Sequence, residues 1–194
     1  MRKMVWISMT LLAGACGDDT DAYQGTYEVV SHTLVEDGCA NAPAPVTSAT
    51  DCFSCMVEKP FFKVKKQDFF GQNLHTLVDC ESATVCDDAG DDPNTINLGS
   101  AFFDRNGDGG RIGTADAAST GGAGCSYTGV RLGMVVTADG VKLTRTESRL
   151  KEGAASASLN GDACLDLSEN PPPANEVECR SIEEVLGRSA VSAK

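Results

Sequence analysis

Apolar and polar residues alternate along several short segments of the chain, a pattern that predicts β-strands with one buried face. Residues 127–136 are the clearest case. The dipeptide Asp139-Gly140 follows and is a strong hairpin signal, after which the alternation resumes and runs to residue 149. The residues that this hairpin is predicted to turn toward a core are Val130, Leu132, Met134, Val136, Val141 and Leu143.

Three further segments, 26–34, 61–65 and 73–79, have strand-like composition or alternation. Residues 61–65 alternate apolar side chains with lysines, which indicates an edge strand. Residues 178–191 fit a helix or a strand equally well. Roughly six to eight short strands separated by turn signals predict a mainly β protein, an antiparallel barrel or sandwich.

The N-terminal segment has the features of an export signal. Arg2 and Lys3 precede an apolar stretch at 4–13, and the small residues Gly14 and Ala15 follow. This order is typical of a secretory signal peptide, and the stretch is shorter than the roughly 20 residues of a membrane-spanning helix. We therefore expect residues 1–15 to be a signal peptide, 16–24 an acidic tether and 25–194 a single cysteine-rich β domain.

Residues 11–16, Leu-Leu-Ala-Gly-Ala-Cys, resemble the lipobox of bacterial lipoproteins. The resemblance implies cleavage before Cys16 and attachment of diacylglycerol to its sulfur. Ala13 stands where that family usually has leucine, and an ordinary signal peptidase would cut the same bond, leaving a free secreted protein. Gly17, rather than aspartate, follows Cys16, which in this family implies the outer rather than the inner membrane of the cell envelope.

The chain has nine cysteines, an odd number for an oxidising compartment. A lipid on Cys16 leaves eight, enough for four disulfides. Those eight are Cys39, Cys52, Cys55, Cys80, Cys86, Cys125, Cys164 and Cys179.

Short sequence separations favour local disulfide pairs. They predict Cys80 with Cys86 and Cys164 with Cys179. They also predict Cys39 with one cysteine of the 52–55 pair, the other of which would bond to Cys125. Because eight cysteines allow 105 pairings, these assignments are expectations only.

The chain carries a formal net charge of −12 and has a sequence pI near 4.5. Such a surface repels phosphate backbones, so no nucleic-acid partner is expected. Nucleophile elbows, zinc-protease helices and phosphate-binding loops are absent from the sequence. His32 and His75 fall in predicted strands, as half-buried residues rather than bases. We therefore expect no enzymatic activity.

Cys52 and Cys55 form a C-x-x-C motif, which in thiol–disulfide oxidoreductases begins a helix that activates the first cysteine. Pro60 would end any helix after one turn, so structural disulfides are the favoured interpretation. A zinc site built from these two residues with Cys80 and Cys86 is possible by count, but the unequal spacings and an oxidising compartment argue against it.

Asp104, Asn106 and Asp108 lie in the string Asp-Arg-Asn-Gly-Asp-Gly, which resembles the start of an EF-hand calcium loop. Ala115 stands at the usual terminal glutamate, and Asp116 would replace it if the loop holds one extra residue. A surface turn rich in asparagine, aspartate and glycine is the alternative. Calcium is the one cofactor that the sequence suggests.

These features predict a membrane-anchored, disulfide-stabilised β lipoprotein of the cell envelope, acting as a non-catalytic binding or structural module. Its expected membrane contact is the lipid anchor, and the sequence leaves its protein or small-molecule partner open. Gly25-Thr26-Tyr27 resembles the G-x-W start of lipocalin-like barrels, which implies a carrier of a small apolar ligand as one alternative. A thiol–disulfide oxidoreductase using Cys52 and Cys55 is the other.

Overall fold

The computed structural model describes residues 23–47, 55–69, 72–88, 108–117 and 124–190. Within them, two short α-helices accompany the strands: α1 (Ala83–Asp88) and α2 (Gly161–Leu165). The strands are β1 (Gly25–Val35), β2 (Ala44–Pro45), β3 (Phe61–Phe69), β4 (Gln72–Cys80), β5 (Asp108–Ala117), β6 (Cys125–Val136), β7 (Gly140–Leu150) and β8 (Val177–Ser189).

All strand pairs are antiparallel and form one sheet in the order β4-β3-β1-β8-β7-β6-β5, with β2 added beside β1. The sheet curls into a half-barrel. The predicted mainly β, antiparallel architecture is therefore confirmed. The ambiguous C-terminal segment is a strand, β8, and it lies between β1 and β7.

The prediction that 61–65 form an edge strand is wrong, because β3 pairs on both sides, with β1 and with β4. Its alternation instead marks a strand with one buried face. Phe62 and Val64 are almost completely buried, whereas the intervening Lys63 and Lys65 are partly exposed.

The concave face of the half-barrel holds the main hydrophobic core. Residues 55–57, which precede β3, lie against this face, and we call them the plug segment. Met56 and Val57 are 4% and 1% exposed. The core comprises Tyr27, Met56, Val57, Phe62, Val64, Leu77, Leu132, Met134, Val141, Leu143 and Val185. The predicted inward face of the hairpin is thus confirmed, except that Val136, at the end of β6, is 44% exposed.

Gly187 fits a close approach of β8 to an aromatic ring. A Cβ atom at this position would lie 2.4 Å from Cζ of Phe62, whose ring stacks on Tyr27 with centroids 5.2 Å apart. A glycine therefore lets two aromatic rings fill the concave face beside the strand.

A second, smaller core covers the other face of β6. Side-chain direction alternates along a strand, so the buried Cys125 and Tyr127 point away from the face that carries Leu132 and Met134. Residues 151–176, which include α2 and two short 3₁₀ helices, pack over them, and we call these residues the outer segment. The buried residues are Cys125, Tyr127, Cys164 and Leu167, with Leu150, Leu159 and Val177 beside them.

Three disulfides join described residues. The predicted Cys80–Cys86 bond is confirmed, and it ties α1 to the end of β4. The other two are Cys39–Cys179, across 140 residues, and Cys125–Cys164.

The predicted pairs Cys164–Cys179, Cys39 with a cysteine of the C-x-x-C motif, and that motif with Cys125 are therefore wrong. Cys39 is bonded to Cys179 because β1, which precedes Cys39, and β8, which contains Cys179, are neighbours in the sheet, not because the two cysteines are close in sequence. Val35 at the end of β1 lies opposite Ile182 in β8, so the residues after β1 meet the beginning of the last strand.

Candidate functional site

The calcium prediction lies partly outside the described residues, which include neither Asp104 nor Asn106. Asp108 and Asp116 are described, and both belong to β5, where they pair with Gly133 and Ser126. Calcium binding by Asp104, Asn106, Asp108 and Asp116 stays a prediction.

Of the predicted lipid-attachment and redox residues, some also lie outside the described part of the chain. Cys16 and Cys52 lie outside the described residues. Cys55 is described, 6% exposed and disulfide-bonded, and its partner is not among the described cysteines. Because Cys80 and Cys86 are bonded to each other, they are not ligands of a zinc site with the C-x-x-C motif.

Both histidines lie in strands, as predicted. His75 in β4 is only 1% exposed, more buried than expected, and its ring packs edge-on against Tyr23 with centroids 5.3 Å apart. The His32 side chain is 9% exposed and points to the concave face. The two histidines are therefore in different environments, and His32 has a carboxylate as its neighbour.

That neighbour is Glu183, the most unusual residue of the core. Opposite residues in an antiparallel pair point to the same face, and Leu34 lies opposite Glu183 while His32 lies opposite Val185. All four side chains consequently face the inside of the sheet. A carboxylate 1% exposed in such a position requires hydrogen-bond donors, since an unpaired buried charge is strongly destabilising.

The plug segment and His32 supply those donors. The backbone N–H of Met56 donates to both carboxylate oxygens of Glu183, at 3.0 and 3.1 Å. His32 Nε2 lies 2.9 Å from Oε1 of the same carboxylate. Glu183 therefore joins the plug segment to β1 and β8 through one buried group.

Cys55 completes a cluster of three chemically different groups. The ligand atoms of His32, Cys55 and Glu183 all lie within 4.8 Å of one another. We call these three residues the buried cluster. An imidazole, a sulfur and a carboxylate are the donors that borderline-soft metal ions use, although a disulfide-bonded sulfur is not a thiolate ligand.

Sequence reasoning missed Glu183 as a site residue. A signal was present, because residues 179, 181, 183 and 185 alternate on one face if the segment is a strand. A glutamate on a face shared with Val185 is a polar residue directed at a core. Because the sequence fits a helix and a strand equally well over 178–191, the polar residue on the core-facing side of a strand could not be recognised.

A partly buried charged group lies farther along the concave side. Glu147 accepts hydrogen bonds from Arg145 at 3.0 Å and from Arg180 at 2.7 Å. The side chains of Glu147 and Arg145 are 13% and 15% exposed, whereas Arg180 is 56% exposed. The group therefore sits at the margin of the core, in contact with solvent.

Tyr27 and Glu176 have shifted pKa values with clear causes. Burial raises the pKa of Tyr27, whose hydroxyl donates to the carbonyl of Tyr23 at 2.8 Å. Hydrogen bonds from Ser156 lower the pKa of Glu176, which accepts from the Ser156 backbone N–H at 2.9 Å. This second contact lies within residues 151–176 and joins Ser156 to the residue just before β8.

Comparison with known proteins gives no match to a protein-family model, a curated protein or a solved structure. Among the described residues, neither helix has the length and apolar composition needed to cross a membrane. The candidate site therefore has to be interpreted from its own geometry.

Proposed function

We propose that this protein is a lipid-anchored β module of the bacterial cell envelope that acts by binding or by structure rather than by catalysis. The observation that carries the proposal is that the buried carboxylate of Glu183 accepts hydrogen bonds from other parts of the protein core. Both of its carboxylate oxygens accept from the plug segment, and one also meets His32. The polar groups at the centre of the molecule thus hold the fold together, as expected for a rigid scaffold.

The cysteine count supports the anchor. Three disulfides occupy six of the nine cysteines, and Cys55 is bonded as well. Cys16 and Cys52 are left. A Cys52–Cys55 bond together with a lipid on Cys16 accounts for every cysteine, which is the arrangement we propose.

Packing of the concave face argues against the carrier alternative. Met134, Val141, Leu143 and Val185 are each at most 1% exposed, and the plug segment covers them where a lipocalin-like protein would hold its ligand. The burial of Cys55 similarly argues against the oxidoreductase alternative, since an attacking sulfur needs access to its substrate.

The test is the intact mass of the protein purified from membranes, measured after alkylation of free thiols, with and without reduction. We expect acyl chains on Cys16 and no alkylation before reduction. A Cys16→Ala variant is the control, and it should lose the added mass and leave the membrane fraction. A lipid-free mass on the wild-type protein would refute the anchor, and two thiols alkylated without reduction would revive the oxidoreductase.

A further inference from the structure

The buried cluster of His32, Cys55 and Glu183 contains the three kinds of side chain that bind zinc most often. Two of them come from neighbouring strands of the sheet, and Cys55 comes from the plug segment that Glu183 itself holds in place. We propose that reduction of the disulfide at Cys55 converts the cluster into a binding site for a divalent cation of the zinc class. The proposal goes beyond a scaffold role, since it gives the core a ligand and a switch.

The distances suit such an ion after small side-chain movements. Zinc bonds of about 2.0 to 2.3 Å place tetrahedral ligand atoms roughly 3.4 Å apart. His32 Nε2 and Glu183 Oε1 are 2.9 Å apart, and all three ligand atoms lie within 4.8 Å. The pair must therefore open slightly, and the sulfur must approach by at most about 1.4 Å, to reach the zinc spacing. Three protein ligands leave a fourth position open, as in zinc sites that bind water or a further ligand.

The charges balance. A dithiol reductant passes two electrons and two protons to the disulfide of Cys55; the S–S bond breaks, Cys55 and its partner cysteine each become a thiol, and the reductant becomes a disulfide. The cation then displaces the thiol proton, which is lost to solvent, and enters between His32 and Glu183; His32 stays neutral, with its one ring proton on Nδ1 and its Nε2 free to bind the cation. Thiolate and carboxylate together carry two negative charges, which neutralise the dication in a site with little water.

The oxidised state lacks the third ligand, because a sulfur held in a disulfide has no thiolate charge. His32 and Glu183 then satisfy each other, with Met56 N–H as the additional donor. Metal affinity is consequently expected to follow the redox state of one bond. The switch acts on the plug segment, since Cys55 and Met56 are adjacent.

The test uses Co²⁺ as the probe, because a thiolate bound to Co²⁺ gives a charge-transfer absorption band. A Cys52→Ser variant releases the Cys55 thiol without reducing the other disulfides, a choice that rests on the Cys52–Cys55 bond of the proposed function. We expect one Co²⁺ per chain and the thiolate band in this variant, and neither in the oxidised wild-type protein. Zn²⁺ should remove the band by competition.

A Cys39→Ser variant is the matched control, since it leaves a thiol at Cys179, outside the buried cluster. It should show no band. Adding His32→Gln or Glu183→Gln to Cys52→Ser should weaken Co²⁺ binding at least tenfold. An equal band in the Cys39→Ser control, or full affinity in the double variants, would overturn the proposal, as would a free Cys55 thiol that binds no Co²⁺.

Free-thiol mapping by alkylation and mass spectrometry separates this proposal from the previous one. If Cys52→Ser leaves Cys55 bonded, the proposed pairing is wrong, and Cys16→Ser is then used in the same way to release Cys55. If either variant fails to fold, wild-type protein is titrated with limiting phosphine reductant until Cys55 is free and the other three disulfides are intact. The Co²⁺ band must then appear with that thiol and not before it.

Discussion

Replacement of Glu183 by leucine should destabilise the protein by removing the acceptor that the plug segment needs. The N–H of Met56 would be left buried without a partner, at about 1–3 kcal/mol, and His32 would lose the carboxylate that lies 2.9 Å away. Two buried groups left without their acceptor cost about 2–6 kcal/mol together. We expect Glu183→Leu to fall in that range.

Glu183→Gln is the finer probe, because the amide keeps one acceptor oxygen and the same shape. A hydrogen bond to a charged group contributes about 1.5–3 kcal/mol against about 0.5–1.5 for a neutral one. The glutamine variant should therefore lose about 1–3 kcal/mol. Combined with His32→Gln in a double-mutant cycle, it should give a coupling of about 0.5–3 kcal/mol.

The assay is urea unfolding at neutral pH with disulfides intact, followed by circular dichroism. Glu184→Gln is the matched control, since the next residue of β8 faces outward, 44% exposed, and pairs with Lys142. An exposed ion pair contributes at most about 1 kcal/mol, so this variant should unfold close to wild type. Equal midpoints for Glu183→Leu and the control would refute the idea that the buried carboxylate holds the plug segment.

Three further predictions concern packing and pH. Gly187→Ala should cost about 1–3 kcal/mol in urea unfolding, because the new Cβ would overlap Phe62, whereas Gly133→Ala, with no atom within 4 Å of the added Cβ, should not show that loss. Burial raises the pKa of Tyr27 above 10.0, so the contribution of this side chain to stability is complete below that pH and is lost as pH rises through the folded-state pKa. The melting temperature of Tyr27→Phe should therefore fall less steeply above pH 10.0 than that of the wild-type protein. Parallel melting curves against pH would contradict this. The pKa of Glu176 is lowered from 4.5, so the contribution of this side chain to stability is present above that pH and is lost as pH falls through the folded-state pKa. Glu176→Gln should therefore make stability depend less on pH on the acid side. An unchanged pH dependence there would show that the contact with Ser156 does not contribute to the loss of stability in acid.

Local patterns along the chain predicted the strands well. The hairpin of β6 and β7 follows from alternation around Asp139-Gly140. Its register differs from a turn centred on that dipeptide, because Val136 lies opposite Val141 and the Thr137 N–H donates to the carbonyl of Gly140, so the two turn residues are Ala138 and Asp139. Alternation also explains why β3 resembles an edge strand in sequence although it has a neighbour on each side. Lysines on one face of a strand report exposure of that face, not the absence of a neighbouring strand.

Features that depend on distant residues could not be predicted in the same way. Cys39 meets Cys179 because β1 and β8 are neighbours, which no local spacing reveals. β6 is covered on opposite faces along its length, so its reversed pattern at Cys125 and Tyr127 reflects the outer segment rather than the strand itself. Glu183 stands out only once its strand is known to face inward.

The Cys39–Cys179 bond also determines how the molecule would withstand peptide-bond cleavage. It joins the residues after the first strand to the beginning of the last strand across a separation of 140 residues. A protease that cuts the backbone once between these cysteines produces two fragments that remain covalently linked. With a lipid at the N-terminus, both fragments would stay on the membrane, and reduction as well as cleavage would be needed to shed the C-terminal part.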